Sequence, residues 1–276
     1  MVDYRLTEIP QVYDTDGNIL QAIDDHLVPQ LLAKALTLVQ SDSPVVITEL
    51  GCGTGRNTAK LLLPLQTSSE QASHETYAVD IAQINALDLS MAMLEVAQKR
   101  CNAILSTKSR DEKTPDIQFR EFDAIEPSSY PNVQSEVIGK AHLVLSTLVL
   151  EHLPLEVFFS TVKSLLIPGG DGLLVLTNMH PEMGDISQAG FLDEDTGEKI
   201  QGHSFSHRIE DVMAVAAKYG FSLVGELGER AVEESDVRDD GGNVQDRLLG
   251  KRGRKWIGIR VWFGGVFRLQ RGSSYV

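Results

Sequence analysis

Three glycines within five positions, Gly51-Cys52-Gly53-Thr54-Gly55, break an apolar run that begins V-V-I-T-E-L and resumes as T-A-K-L-L-L-P-L. Glycine lets backbone N–H groups approach a ligand closely, and the start of a following helix adds partial positive charge. A strand, a glycine loop and a helix in that order therefore suit a nucleotide-like ligand with an anionic group. A nicotinamide dinucleotide fingerprint, G-x-G-x-x-G, would need a third glycine where Arg56 stands. The spacing here is G-x-G-x-G, and Glu49 precedes it. An acid at that edge suits a ligand with a cationic amine better than a pyrophosphate. S-adenosylmethionine, whose methionine end carries both a carboxylate and an ammonium, fits both departures.

Methyl transfer from a sulfonium is an in-line displacement, and holding the nucleophile on the methyl axis supplies much of the rate. An oxygen or carbon nucleophile also gains from a base. The histidines that could act so are His152 in V-L-E-H-L, His180 in N-M-H-P, and His203 and His207 further on. All follow C-terminal strand ends or lie in the connecting segment, the side where open α/β sheets place their ligands. His203 and His207 could share a helical face as metal ligands, but no acid or cysteine pattern accompanies them, and no metal is expected.

These residues need a scaffold, and the periodicity supplies one. Residues 23–40 have helical spacing and stop at S-D-S-P; V-V-I-T-E-L is a strand; T-A-K-L-L-L-P-L continues as a helix. After a polar loop over 67–75, T-Y-A-V-D-I-A-Q-I-N-A-L-D-L-S is β-rich and M-A-M-L-E-V-A-Q-K-R-C-N-A-I-L is helical. I-Q-F-R-E-F-D alternates as a strand, A-H-L-V-L-S-T-L-V-L is a buried strand, L-E-V-F-F-S-T-V-K-S-L-L a helix and L-L-V-L-T-N-M a strand. This alternation predicts a parallel sheet covered on both faces. It stops after residue 180. Residues 181–207 have no clear period, 209–221 form a helix closed by Gly220, and two strands, S-L-V-G-E-L-G-E-R-A-V and W-I-G-I-R-V-W-F-G-G-V-F-R-L-Q, flank a charged loop over about 233–255. That ending predicts an antiparallel pair on the sheet edge.

Composition bounds the rest. The chain has 276 residues, 42% hydrophobic and 23% charged, with no run of apolar residues long enough to span a membrane and an acidic, polar beginning, so a cytoplasmic protein is expected. Two cysteines, Cys52 and Cys101, support neither a disulfide framework nor a cysteine-rich zinc site. With 25 Lys and Arg against 39 Asp and Glu, the net charge of −14 argues against a nucleic-acid partner, despite K-R-G-R-K at 251–255. Neither a membrane partner nor an oligomeric state is read from the chain.

E-L-G-C-G-T-G, A-L-D-L-S-M-A-M-L-E-V-A, F-D-A and V-L-S-T-L-V-L-E-H-L together resemble the class I S-adenosylmethionine-dependent methyltransferases, particularly the small-molecule branch that includes the ubiquinone/menaquinone C-methyltransferases. The match spans roughly residues 45–180. It implies a Rossmann-like, doubly wound seven-stranded sheet with an antiparallel last strand and helices on both faces. It also implies roles. Glu49 resembles the acid near the methionine amine, and Gly51, Cys52, Gly53 and Gly55 resemble the methionine-site loop. Asp88 resembles the carboxylate that takes both ribose hydroxyls, with Leu89 and Met93 against the adenine and Asp123 and Ala124 at its amino group. Ser146 and Thr147 end the fourth strand, where family members offer backbone to the amine.

Asp80 in Y-A-V-D-I-A competes with Asp88 for the ribose role, and the turn serine and helix-starting methionine after Asp88 favour the latter. The nucleic-acid enzymes' Asn/Asp-Pro-Pro-aromatic turn is missing at S-T-L-V-L-E-H-L-P. The expected reaction is therefore methyl transfer to a small-molecule metabolite. A protein methyltransferase, or a regulatory protein that binds the cofactor without catalysis, is the alternative. A single domain is expected: an N-terminal helical cap (1–40, with Tyr4 and Tyr13), a cofactor core (41–180), a lid or substrate segment (181–208), and a helix with the C-terminal strand pair (209–276).

Overall fold

The computed structural model describes residues 14, 18–39, 41, 44–63, 79–109, 112–169, 171–186, 190–192, 199–201, 204–237 and 248–271. Tyr4, Tyr13, His203 and the polar run 67–75 lie outside them.

Helix α1 (Ile19–Leu38) is capped by Asn18, whose side chain accepts the Leu20 N–H at 2.9 Å. It starts earlier than the periodicity suggested and carries Pro29 within it. The core then alternates as expected: β1 (Val45–Leu50), α2 (Arg56–Lys60), β2 (Ile81–Asp88), α3 (Met91–Leu105), β3 (Asp116–Glu121), α4 (Pro131–Glu136), β4 (Leu143–Thr147), α5 (Leu155–Leu165) and β5 (Leu173–Met179). Helix α2 is shorter than the run T-A-K-L-L-L-P-L implied, ending in a turn from Leu61 to Leu63.

The segment 181–207 is not wholly irregular: it holds α6 (Pro181–Ile186) and a hairpin, β6 (Gly190–Leu192) against β7 (Lys199–Gln201). Helix α7 (Ile209–Lys218) follows, then β8 (Phe221–Leu223), β9 (Gly228–Ala231) and β10 (Arg260–Leu269).

The main sheet runs β3-β2-β1-β4-β5-β10-β8, with β9 also on β10. Strands β1 to β5 are parallel, and β10 is antiparallel to β5. It has eight strands where seven were expected, because S-L-V-G-E-L-G-E-R-A-V splits in two. Gly225, at φ +81°, turns the chain between β8 and β9, and both pieces pair along the same side of β10.

Pleating explains the layers. On β4, Leu143 and Leu145 face α1, where they pack with Val28, Leu32, Ile47 and Val175. Val144 faces the other way, among Phe158, Phe159 and Val162 of α5 and Val212 of α7. A third apolar cluster lies at the C-terminal ends of β4 and β5: Leu148, Met179 and Met183 meet Leu20 and Ile23 of α1, and Trp256 from the C-terminal segment. Among the described residues no helix is long and apolar enough to cross a membrane.

Candidate functional site

The glycine loop sits at the C-terminal end of β1. Gly51, Gly53 and Gly55 have φ of +75°, +53° and +76°, a left-handed backbone that glycine adopts without strain. Two of them are also held by close neighbours. A Cβ on Gly51 would meet Val149 Cγ2 at 2.2 Å, and one on Gly55 would meet Ala97 Cβ at 2.8 Å. Gly53 differs, since nothing lies within 4 Å of where its Cβ would be. That is open space at the centre of the loop, a cradle with room for a ligand atom. Gly51 and Cys52 anchor the loop by donating their N–H groups to the Leu87 carbonyl at 2.8 and 2.9 Å. Cys52 is buried, and burial pushes its thiol well above the usual range, so it packs without reacting.

Asp88 closes β2 beside this cradle. Its Oδ2 accepts the Gly53 N–H at 2.7 Å and its Oδ1 the Ser90 N–H at 2.9 Å. Burial raises its pKa, and the Ser90, Gly53 and Leu89 backbone donors offset only part of that rise. Each carboxylate oxygen keeps a second acceptor position for a ligand hydroxyl. Asp80 lies at the opposite end of the strand, where its backbone carbonyl takes the Val45 N–H and its side chain pairs with Lys113 on the surface. Of the two acids, the fold brings only Asp88 to the loop.

Ser90 caps α3, accepting the Met93 N–H at 3.4 Å, so Leu89 and Met93, both partly buried, flank Asp88. Asp123 lies just beyond β3 and accepts the Ile125 N–H at 2.8 Å, with Ala124 buried beside it. Ser146 is fully buried and donates to the Leu50 carbonyl at 3.0 Å, tying β4 to the end of β1. Thr147 accepts from Asn57 Nδ2 at 2.8 Å, which ties the same strand to α2. Glu49, on β1 just before the loop, is a buried acid. It is 1% exposed, accepts the Thr58 hydroxyl at 2.5 Å, and burial pushes it up to about 8.

The histidines separate. His180 is buried with both ring nitrogens engaged: Nδ1 accepts the Glu182 N–H at 3.1 Å, so Nε2 carries the proton shared with Glu229 Oε2 at 3.0 Å. Arg260 joins Glu229 to Glu182 and completes a structural network. His207 directs Nε2 at the Leu150 and Leu153 carbonyls, 3.2 and 2.9 Å away, and stacks on Phe205. Both rings hold backbone in place. His152, with its side chain 37% exposed, sits in the turn after β4 with Nε2 3.7 Å from Glu151 Oε1. Of the candidate histidines among the described residues, it alone pairs an exposed ring with a buried acid at a strand end.

That acid, Glu151, is one the motif reading passed over. It is 6% exposed, burial pushes it up to about 7, and its Oε2 has no hydrogen-bond partner. An acid embedded in V-L-E-H-L was its only signal. Asp24, inside the amphipathic run of α1, was missed too. It is fully buried, with Oδ1 accepting the Thr177 hydroxyl at 2.6 Å and the Trp262 indole N–H at 2.9 Å, while Arg56 lies 3.9 Å from Oδ2. Leu148, at the start of the turn, is the one non-glycine among the described residues with positive φ, at 56°. Such conformations cluster at ligand sites.

The chain is 39% identical over 265 residues to an uncharacterized methyltransferase of Emericella nidulans, covering 92% of this chain and 86% of that one. No family model matches it. Its fold is similar to that of magnesium protoporphyrin IX methyltransferase from Synechocystis PCC 6803, solved with bound SAH: TM-score 0.52, 15% identity, 98% of this chain and 89% of that one. It is also similar to the SpnF cyclase: TM-score 0.51, 14% identity, 90% and 81%. Sequence kinship and topology agree: the chain belongs to the methyltransferases and has the class I, S-adenosylmethionine-dependent methyltransferase fold.

Proposed function

We propose that this enzyme transfers the methyl group of S-adenosylmethionine to a small-molecule acceptor. The observation that carries the reading is the open cradle at Gly53 directly beside Asp88. In it, Asp88 takes the ribose hydroxyls with its remaining acceptor positions, Leu89 and Met93 cover the adenine, and Asp123 and Ala124 receive its amino group. Gly51, Gly53 and Gly55 make room for the methionine end, and Ser146 and Thr147 present backbone to its amine. When bound, the cofactor supplies an electrophilic methyl on a sulfonium.

The acceptor side is the apolar cluster around Leu148, Met179 and Met183. Two segments distant in the chain come over it, α1 through Leu20 and Ile23 and the segment before β10 through Trp256. A wall closed in this way supports a lidded pocket for a small apolar or amphipathic compound over an open groove for a protein. The net charge of −14 supports a partner other than nucleic acid. The cap, core, 181–208 segment and C-terminal strands act as one cytoplasmic methyltransferase domain. Placement in the ubiquinone/menaquinone-like branch belongs to this proposal and rests on the sequence motifs.

The test is incubation of the full chain with methyl-labelled S-adenosylmethionine and a fractionated small-molecule extract. A metabolite heavier by one methyl is the expected result. Label in protein bands would move the assignment to a protein side chain, and cofactor binding with no transfer to any component would make the chain a binding protein.

A further inference from the structure

The turn after β4 carries a buried carboxyl beside the cofactor cradle. Val149 packs against Gly51, so this turn touches the glycine loop. Two residues on, the backbone of Glu151 is fixed at both ends: its N–H donates to Asn178 Oδ1 at 3.2 Å, and its carbonyl accepts the Phe205 N–H at 2.7 Å. Its Oε2 is buried without a hydrogen-bond partner, and the Met179 backbone N–H is the one group that holds the carboxyl's pKa down against burial. The apolar residues Leu148 and Met179 stand nearby at the strand ends. His152 Nε2, 3.7 Å from Oε1, is one water or a small rotation from a hydrogen bond, and its ring reaches solvent.

We propose that Glu151 takes the proton from the methyl acceptor and passes it to solvent through His152, so that the acceptor's nucleophilic atom bears an exchangeable proton, as a hydroxyl or an amine does. The proposal rests on the methyl-transfer reading above. In the balanced step, the acceptor's lone pair forms a bond to the methyl carbon while the carbon–sulfur bond breaks and leaves its electron pair on sulfur. The O–H or N–H bond breaks with its pair kept by the nucleophile. The Glu151 carboxylate receives that proton and hands it to His152, which releases a proton to water. Asp24 of α1 faces Glu151 as a like charge and favours its uptake of a proton, while Arg56 and Lys60 offset Asp24. His207 reaches the same turn, at the Leu150 and Leu153 carbonyls, and His180 is engaged with Glu229.

The experiment uses the full chain, E151Q and H152A. The first readout is independent of turnover: in the S-adenosylhomocysteine complex, carbon-13 NMR of labelled glutamate carboxyls should show one group titrating near pH 7 that E151Q removes, with affinity for S-adenosylhomocysteine changed less than threefold. The second uses labelled S-adenosylmethionine and the small-molecule extract. The wild-type rate should rise through pH 7, E151Q should lower it by about 10² to 10⁴, and imidazole should restore part of the loss in H152A. Label on an oxygen or nitrogen that lost a proton supports the proposal.

Transfer by E151Q within threefold of wild type overturns it, as does label on a thioether or tertiary amine. Should E151Q fold poorly, a wild-type rate independent of pH between 5 and 8 overturns it too. If the wild type transfers nothing, the methyl-transfer reading falls and this inference with it; transfer without these signatures sinks the inference alone.

Discussion

At the scale of single residues, the loop separates two glycines packed against neighbouring side chains from one, Gly53, that faces open space and that we propose to make room for the cofactor. The Cβ of Gly53→Val meets no protein atom within 4 Å, although the φ of +53° strains any side chain by about 1 to 2 kcal/mol. We expect this variant to fold with a modestly lower Tm and to lose S-adenosylhomocysteine binding in calorimetry. Unchanged affinity would remove the cradle from the cofactor site. Gly51→Ala, with its Cβ driven into Val149, should instead lower the Tm strongly, and an unaltered melt would show that the β4 turn does not rest on the loop. Asp88→Ala should weaken cofactor binding by about 1.5 to 3 kcal/mol, the range for hydrogen bonds to a charged group, whereas Asp80→Ala at the far end of β2 should leave it unaltered. The reverse order in titration would refute the site geometry.

At the scale of elements, α1 is fastened to the sheet by more than apolar contact. Asp24 reaches across to Thr177 on β5 and Trp262 on β10, while Arg56 of α2 bonds Asp25 at 2.6 Å on the next position of the helix. Asp24→Ala leaves a buried hydroxyl and a buried indole N–H without their acceptor. We expect a loss of about 2 to 6 kcal/mol in urea denaturation, from roughly 1 to 3 for each of the two orphaned groups. A loss below about 0.5 kcal/mol would mean that the pin contributes nothing beyond helix packing. Because Leu20 and Ile23 on the same helix pack on Leu148, Met179 and Met183, the same variant should also loosen the wall proposed for the acceptor.

For the whole molecule, buried acids set the pH dependence of stability. Burial raises Glu49 to about 8 and Glu151 to about 7, from an ordinary value of 4.5. Between 4.5 and those values the folded chain holds protons that the unfolded chain has released. Stability therefore falls as pH rises from about 4.5 to about 8, and levels off above it. The summed effect is on the order of several kcal/mol at about 1.4 per pKa unit. Glu182 works with the opposite sign, since Arg260 holds it down at about 2, and its contribution fades only as pH drops below 4.5. Denaturation midpoints at pH 5, 6.5 and 8 should decline in that order, and the decline should shrink in Glu49→Gln and Glu151→Gln. A midpoint that rises over this interval would contradict the buried-acid account.

The sequence by itself determined the alternation of strands and helices through residue 180, the antiparallel ending, and the loop with Asp88 at the end of the second strand. Each of these is written locally, as a period of two or 3.6 residues or as glycines that a tight loop requires. It also indicated His152 first and His180 and His207 after it, because they follow strand ends or lie in the segment beyond. What each ring touches was decided by the tertiary structure: Glu229 and the Leu150 and Leu153 carbonyls, which occupy two of the rings, come from residues distant in the chain. The same holds for Asp24 and Glu151. Each stands within an apolar run whose period announces a core element, and whether an acid there is solvated or buried depends on what packs across it. For Asp24 those partners are Thr177 and Trp262, more than 150 positions away, and no local pattern encodes so distant a contact.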